Sequence, residues 1–181
     1  APAFTYGDDI GGYNNFQYHT PAGILPFGLG AKIAFAPNTG TNANASSNDA
    51  GSVPTSEEGS SAEQYQINAS PIEGLSLTGS YFVKNNPQSL RKYKYEAGGV
   101  SAKYAVGPVT LGYGQFKVQP SILKSATDVT KLYDNTAYGV AFNVNENFSV
   151  SYTQEKSEAE KMTAVVVTSA ADTRSTVEST I

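Results

Sequence analysis

Cysteine is absent from this 181-residue chain, which excludes a disulfide framework, a thiolate nucleophile and a cysteine zinc site. A single histidine and a single methionine leave little for metal or redox chemistry. Tryptophan is absent too, so the amphipathic ring capacity lies in 12 tyrosines. Charged residues are only 15% of the chain, against roughly 25% in average soluble domains. Its polarity comes from Ser, Thr, Asn, Gln and Gly, an unusual balance for a cytosolic enzyme. A net charge of -4 with no basic stripe argues against a nucleic-acid partner, because phosphate binding needs a basic surface. No run of 18 apolar residues occurs; the longest candidate, around Ala164 to Val167, is far too short for a spanning helix. Any passage through a membrane must therefore be by strands.

What is present is alternation. From Leu75 to Ile181 one parity is Leu, Val, Tyr and Phe, and the other is Ser, Thr, Gly, Asn and Lys. Between Asp134 and Gln154 the first set is Thr136, Tyr138, Val140, Phe142 and Val144, then Phe148, Val150 and Tyr152. Its complement is Ala137, Gly139, Ala141, Asn143, Ser149, Ser151 and Thr153. A period of two marks strands with one apolar and one polar face. The polar parity is small and hydrogen-bonding, with few of the long charged side chains that coat a soluble sheet. Such a wall suits a boundary between lipid and a water-filled bore.

Nine strands are predicted: Tyr13 to Thr20, Phe27 to Ala36, Ala62 to Ala69, Gly74 to Lys84, Lys94 to Val106, Val109 to Val118, Thr136 to Val144, Phe148 to Lys156 and Arg174 to Ile181. Short connections at Pro21 to Pro26, Ser70 to Glu73, Gly107-Pro108 and Asn145 to Asn147 alternate with long ones. The long ones are Pro37 to Ser61, Asn85 to Tyr93, Gln119 to Asn135 and Ser157 to Thr173. In an up-and-down barrel every second connection emerges on the same side, with tight turns periplasmic and long loops outside. A β-sandwich has no reason to sort its loops that way. Residues 37–61 are too poor in apolar side chains to offset their ordering entropy, and are expected to be a solvent-facing extracellular loop. Ser157 to Lys161 has the composition of a helical turn.

The parity assigns Lys32, Lys103, Gln17, His19, Gln66, Asn68, Ser76, Thr78 and Ser101 to the bore, along with Asn15, Gly30, Gln64, Ser80, Thr110 and Gly112. A lysine facing lipid at mid-depth would cost roughly 2–4 kcal/mol, so the wet parity of Lys32 and Lys103 is a test the assignment passes. Phe82 and Phe116 fall on the wet parity and Glu96 on the apolar one; a bulge, invited by Gly98-Gly99, or an exit from the bilayer would re-aim them. Tyr18, Phe27, Tyr81, Tyr113, Phe148 and Tyr152 lie near strand ends, as interfacial girdles or equally as core aromatics of a soluble β-protein. Asp8 and Asp9 are candidates for an acidic constriction if residues 1–12 fold into the bore; the alternative is a surface turn.

Catalytic chemistry is missing. His19 has no Ser or Cys partner in a recognisable elbow. Gly28-Leu29-Gly30 and Gly112-Tyr113-Gly114 sit in strands and do not open helices, so a phosphate-cradling reading fails on context. Asp8-Asp9 lacks the other ligands of a calcium loop. The expectation is a non-enzyme without cofactor or metal.

The segments Gly74-Leu75-Ser76-Leu77-Thr78-Gly79-Ser80-Tyr81, Gly107-Pro108-Val109-Thr110-Leu111-Gly112-Tyr113-Gly114, Thr136 to Phe142 and Phe148-Ser149-Val150-Ser151-Tyr152 together resemble Gram-negative outer-membrane porins, most of all those of marine alphaproteobacteria. The resemblance covers roughly the last 110 residues, and its motifs are typical of the barrel class. It implies a 16-stranded transmembrane β-barrel of which the chain would supply about nine strands as part of one domain. It further implies a homotrimer, a constriction loop, contact with membrane lipid and lipopolysaccharide, and passive diffusion of small hydrophilic solutes. Nine strands is odd where bacterial single-chain barrels are even, and the terminal aromatic usual in such porins is missing; both departures fit a segment of a longer chain. A smaller barrel serving as anchor or adhesin, and a secreted β-sandwich binding protein, are the alternatives.

Overall fold

The computed structural model describes residues 10, 14–39, 61–85, 91–123, 129–145, 148–162 and 174–180. The strands are β1 (Phe16–His19), β2 (Gly30–Ala36), β3 (Ala62–Ala69), β4 (Leu75–Lys84), β5 (Arg91–Tyr93), β6 (Tyr95–Val106), β7 (Val109–Gln119), β8 (Ile122–Leu123), β9 (Val129–Asn145), β10 (Phe148–Met162) and β11 (Arg174–Thr180). Nine of them form one antiparallel sheet in the order β1-β2-β3-β4-β6-β7-β9-β10-β11, each paired with the next of the nine in chain order. The remaining two, β5 and β8, pair as a small separate sheet between the long connections. The fold is thus all-β and up-and-down. The large sheet is open, with β1 and β11 at its two edges.

Local chemistry explains the sorting of connections. Gly107 has φ +54 and precedes Pro108, so Val106 and Val109 pair directly across a two-residue turn. Gly74 has φ +78, and a Cβ there would lie 2.1 Å from the Ala105 carbonyl oxygen. Its own carbonyl accepts from the Ala105 N–H at 2.9 Å, which ties the β3–β4 turn to the end of β6. The link between β1 and β2 carries a 3-10 turn at Pro26–Gly28 and meets the same turn, the Ser70 N–H donating to the Phe27 carbonyl at 2.8 Å. All short connections therefore gather at one end of the sheet. Phe27, expected to open the second strand, sits instead in that turn with φ +59.

At the long-connection end two strands, β9 and β10, outrun their expected limits. Residues 157–161 form no helical turn: Ser157 to Glu160 pair one-to-one with Asn135 to Leu132, and β10 continues to Met162 after one register shift. Correspondingly β9 begins at Val129, inside the stretch expected as loop from Gln119 to Asn135. A ladder partner on each side overrides the helical composition of Ser-Glu-Ala-Glu-Lys.

Among the described residues the dry core lies on the polar face near the long connections. Ala34, Ala36, Ala62, Phe82, Tyr95, Ala97 and Val118 are buried there with Ile10, and Phe116 packs against them. Phe82 and Tyr95 meet edge to face, with ring centroids 5.8 Å apart. Phe82 and Phe116 are not re-aimed, because the β4–β6 and β6–β7 registers run unbroken through Gly98 and Gly99. Those glycines instead make room for rings. A Cβ on Gly99 would lie 2.8 Å from Phe116 Cδ2, and one on Gly98 would lie 3.3 Å from Tyr81 Cδ2. Phe116 and Tyr81 are their direct cross-strand partners on opposite faces.

Candidate functional site

Register carries the parity of each strand across the sheet. His19 pairs with Lys32 and Lys32 with Gln66, which pairs with Ser80. Asn68 pairs with Gly30 and Thr78, Thr78 with Ser101, and Ser76 with Lys103, which also faces Gly112. Gln17 pairs with Ala34. The described residues named for a bore therefore share one face. His19 Nε2 lies 3.0 Å from Gln17 Oε1. Lys32, Lys103, Ser76 and Ser101 are exposed, and neither lysine makes an ion pair with another described residue. Asp8 and Asp9 lie outside the described residues. Their neighbour Ile10 is buried on this same face, its N–H donating to Gln64 Oε1 at 3.1 Å and its carbonyl accepting from Asn15 Nδ2 at 2.9 Å.

The opposite face is apolar and uncovered. Ile33, Ile67, Leu77, Val100, Leu111, Tyr138, Val140, Phe142 and Val150 are each between 37% and 58% exposed. No described element packs over them. A soluble sheet of this size would bury such a face against another layer.

That apolar face has an edge, and the edge is slanted. Tyr65 is in register with Tyr81, Gly98, Lys117, Asp134 and finally Glu158 on β10. The unbroken apolar run toward the long connections ends at Tyr65 on β3, Val100 on β6, Tyr113 on β7, Tyr138 on β9 and Tyr152 on β10; on β9 a single leucine, Leu132, stands apart beyond Asp134. Beyond them come Glu63, Glu96, Gln115 with Lys117, Thr136 with Asp134, and Gln154 with Lys156. On β4 the apolar run continues through Tyr81 to Val83. From β3 to β10 the edge thus retreats from the register line by six positions, Glu158 to Tyr152, over five strand steps. At about 3.3 Å per residue and 4.8 Å per strand, this is about 20 Å along the strands for about 24 Å across, a tilt of about 40°.

Polar partners sit along the edge. The Tyr65 hydroxyl donates to Glu63 Oε2 at 2.6 Å, and the Tyr138 hydroxyl to Gln154 Oε1. Past it, Lys117 Nζ pairs with Asp134 Oδ2 at 2.9 Å and Lys156 Nζ with Glu158 Oε1 at 3.3 Å. Glu96 therefore keeps its expected parity and is simply above the apolar band. At the short-connection end Ile24, Phe27 and Ile72 are exposed.

Sequence reasoning missed the Phe82–Tyr95–Phe116 cluster as a packing unit, and it missed the slant. Parity placed each aromatic correctly, but only register brings residues from β4, β6 and β7 together. Among the described residues no group of His, Asp and Glu could hold a metal ion. No helix among the described residues is long and apolar enough to cross a membrane, which says nothing of strands. Compared with known proteins, the chain matches no family model, no curated protein and no solved structure.

Proposed function

We propose that the chain is part of the wall of an outer-membrane diffusion channel, with its apolar face against lipid and its Ser, Thr, Asn and Lys face against water. The observation that carries the reading is the slanted tyrosine edge. Transmembrane barrel strands tilt by about 35–45° to the membrane normal, so a horizontal water–lipid boundary must cut obliquely across their register. A tilt of about 40° read from side-chain chemistry agrees with that requirement. A soluble sheet has no cause to displace its apolar limit by six positions from one side to the other.

The height of the band is consistent with a bilayer. On β9 the run from Tyr138 to Val144 rises about 15 Å at this tilt, before the Tyr138 ring and the exposed apolar residues at the short connections are added. Outer-membrane barrels carry an apolar belt about 25 Å tall with aromatic girdles. Small residues on the wet face favour a wide lumen over one filled by side chains: a Cβ on Gly112 would meet nothing within 4 Å. This is the point that favours a porin-like barrel over a narrow anchoring barrel. A two-layer β-sandwich is disfavoured by the uncovered face. In this reading the sheet closes with further strands to about 16, the barrels assemble as homotrimers in the outer membrane of a Gram-negative bacterium, lipid and lipopolysaccharide contact the belt, and small hydrophilic solutes and ions pass by diffusion.

The test is reconstitution of the full-length protein into planar bilayers. Stepwise, ohmic conductance is expected. Protein that is folded and inserted, judged by its heat-dependent migration in SDS gels, yet gives no conductance would refute the channel.

A further inference from the structure

We infer that the channel carries a basic zone at mid-depth and therefore prefers small anions. This inference rests on the proposed channel, and it follows from combining register with the slant. Lys32 is in register with Gly99 on β6 through Gln66 and Ser80. Lys103 lies four positions from Gly99 toward the short connections, three strand steps away from Lys32. The tyrosine edge retreats in that same direction by about 1.2 residues per step, or about 3.6 residues in three steps. The two lysines, unrelated in register, are thus at one height in the membrane. On each strand that height is the middle of the apolar run on the opposite face, between Ala31 and Phe35 on β2 and between Val100 and Val106 on β6. His19, paired directly with Lys32, is within about one residue of the same level.

Other residues of the wet face at this height are uncharged: Gln66 or Asn68 on β3, Thr78 on β4, Gly112 on β7, Ala141 on β9, and Ser149 or Ser151 on β10. Among the described strand residues of that face Glu155 is the one carboxylate. It stands about five positions above the zone on β10, about 13 Å in height. Lys84 is likewise near the long-connection end. Two exposed ammonium groups at one level, without a described carboxylate beside them, raise the local anion concentration where low-dielectric lipid backs the wall.

The experiment is the zero-current potential across neutral phosphatidylcholine bilayers holding the full-length protein, in a gradient of potassium chloride near 0.1 M. The chloride-to-potassium permeability ratio is expected to exceed one. Lys32→Glu and Lys103→Glu should each lower it about five- to tenfold, and Lys32→Gln and Lys103→Gln by about the square root of that, for an ion passing about 7 Å from the ammonium. Glu155→Gln, off the zone, should change it less than twofold. A conducting wild type with a ratio at or below one, or conducting Lys32 and Lys103 variants with an unchanged ratio, would overturn the basic zone while leaving the channel standing. Inserted wild-type protein without conductance would overturn both.

Discussion

Val140 and Ala141 are consecutive on β9 and separate the membrane reading from every soluble one. Val140 pairs with Leu111 and Tyr152 on the apolar face; Ala141 pairs with Thr110 and Ser151 on the polar face. Both are near the middle of the run from Tyr138 to Val144. Val140 is 40% exposed. In water, a lysine at so open a position would cost about 0.5 kcal/mol or less. Against the hydrocarbon midplane it would cost about 2–4 kcal/mol, because the ammonium must be drawn out of its hydration or reach past the belt. A cost of about 3 kcal/mol is about a 150-fold fall in the equilibrium constant for the folded, inserted state. Ala141→Lys, facing solvent, should cost less than about 0.5 kcal/mol. Reversible urea unfolding from phosphatidylcholine vesicles, followed by far-ultraviolet circular dichroism, reads the difference directly. If Val140→Lys unfolds like the parent while Ala141→Lys is the variant that collapses, lipid is on the other side and the channel reading fails. If neither changes, no bilayer contacts this strand.

Three further outcomes follow from the packing. Phe82→Ala, at a ring 3% exposed in the cluster with Tyr95, should destabilise the folded protein by about 3 kcal/mol in the same unfolding assay. Gly99→Ala should cost about 1–3 kcal/mol, since its Cβ would sit 2.6 Å from the Gln115 carbonyl oxygen. Gly112→Ala, with nothing within 4 Å, should be neutral, and equal effects at the two glycines would contradict the ring-over-glycine packing. Because the chain has no native cysteine, single Cys probes report depth cleanly. Fluorophores at Tyr65→Cys, Tyr113→Cys and Tyr152→Cys should be quenched alike by interfacial lipid-borne bromines. The probe at Glu158→Cys should be shielded, about 15 Å higher; matched quenching of Tyr65→Cys and Glu158→Cys would mean strands without tilt.

How much of this was legible in the sequence depends on which neighbour a residue needs. Side was legible, because alternation is a property of one strand: Val140 and Ala141 are assigned by parity alone, and the Gly107-Pro108 turn by its own two residues. The upper halves of β9 and β10 were not. Beyond the tyrosine edge charged and polar residues enter both parities and Leu132 and Tyr133 fall on opposite faces, so Lys131 to Asp134 and Ser157 to Glu160 lose the contrast that marks a strand. They are held instead by cross-strand pairing and by ion pairs such as Lys131 with Glu160 at 2.8 Å. The Phe82 cluster was hidden because its members come from β4, β6 and β7, and their wet parity reads as an anomaly until the rings are seen over Ala97 and Gly99.

Depth was hidden most thoroughly, since it belongs to no strand by itself. Lys117 and Tyr65 share a register row, yet one is past the apolar edge and the other on it. Lys32 and Lys103 share no row, yet stand level. In the proposed channel, ions would be sorted by what is level with what, and an edge slanted by about 40° means that neither sequence order nor hydrogen-bond register supplies that relation alone. The chemistry of this face is therefore a property of the slanted sheet, and the tyrosine edge is the ruler by which its charges must be placed.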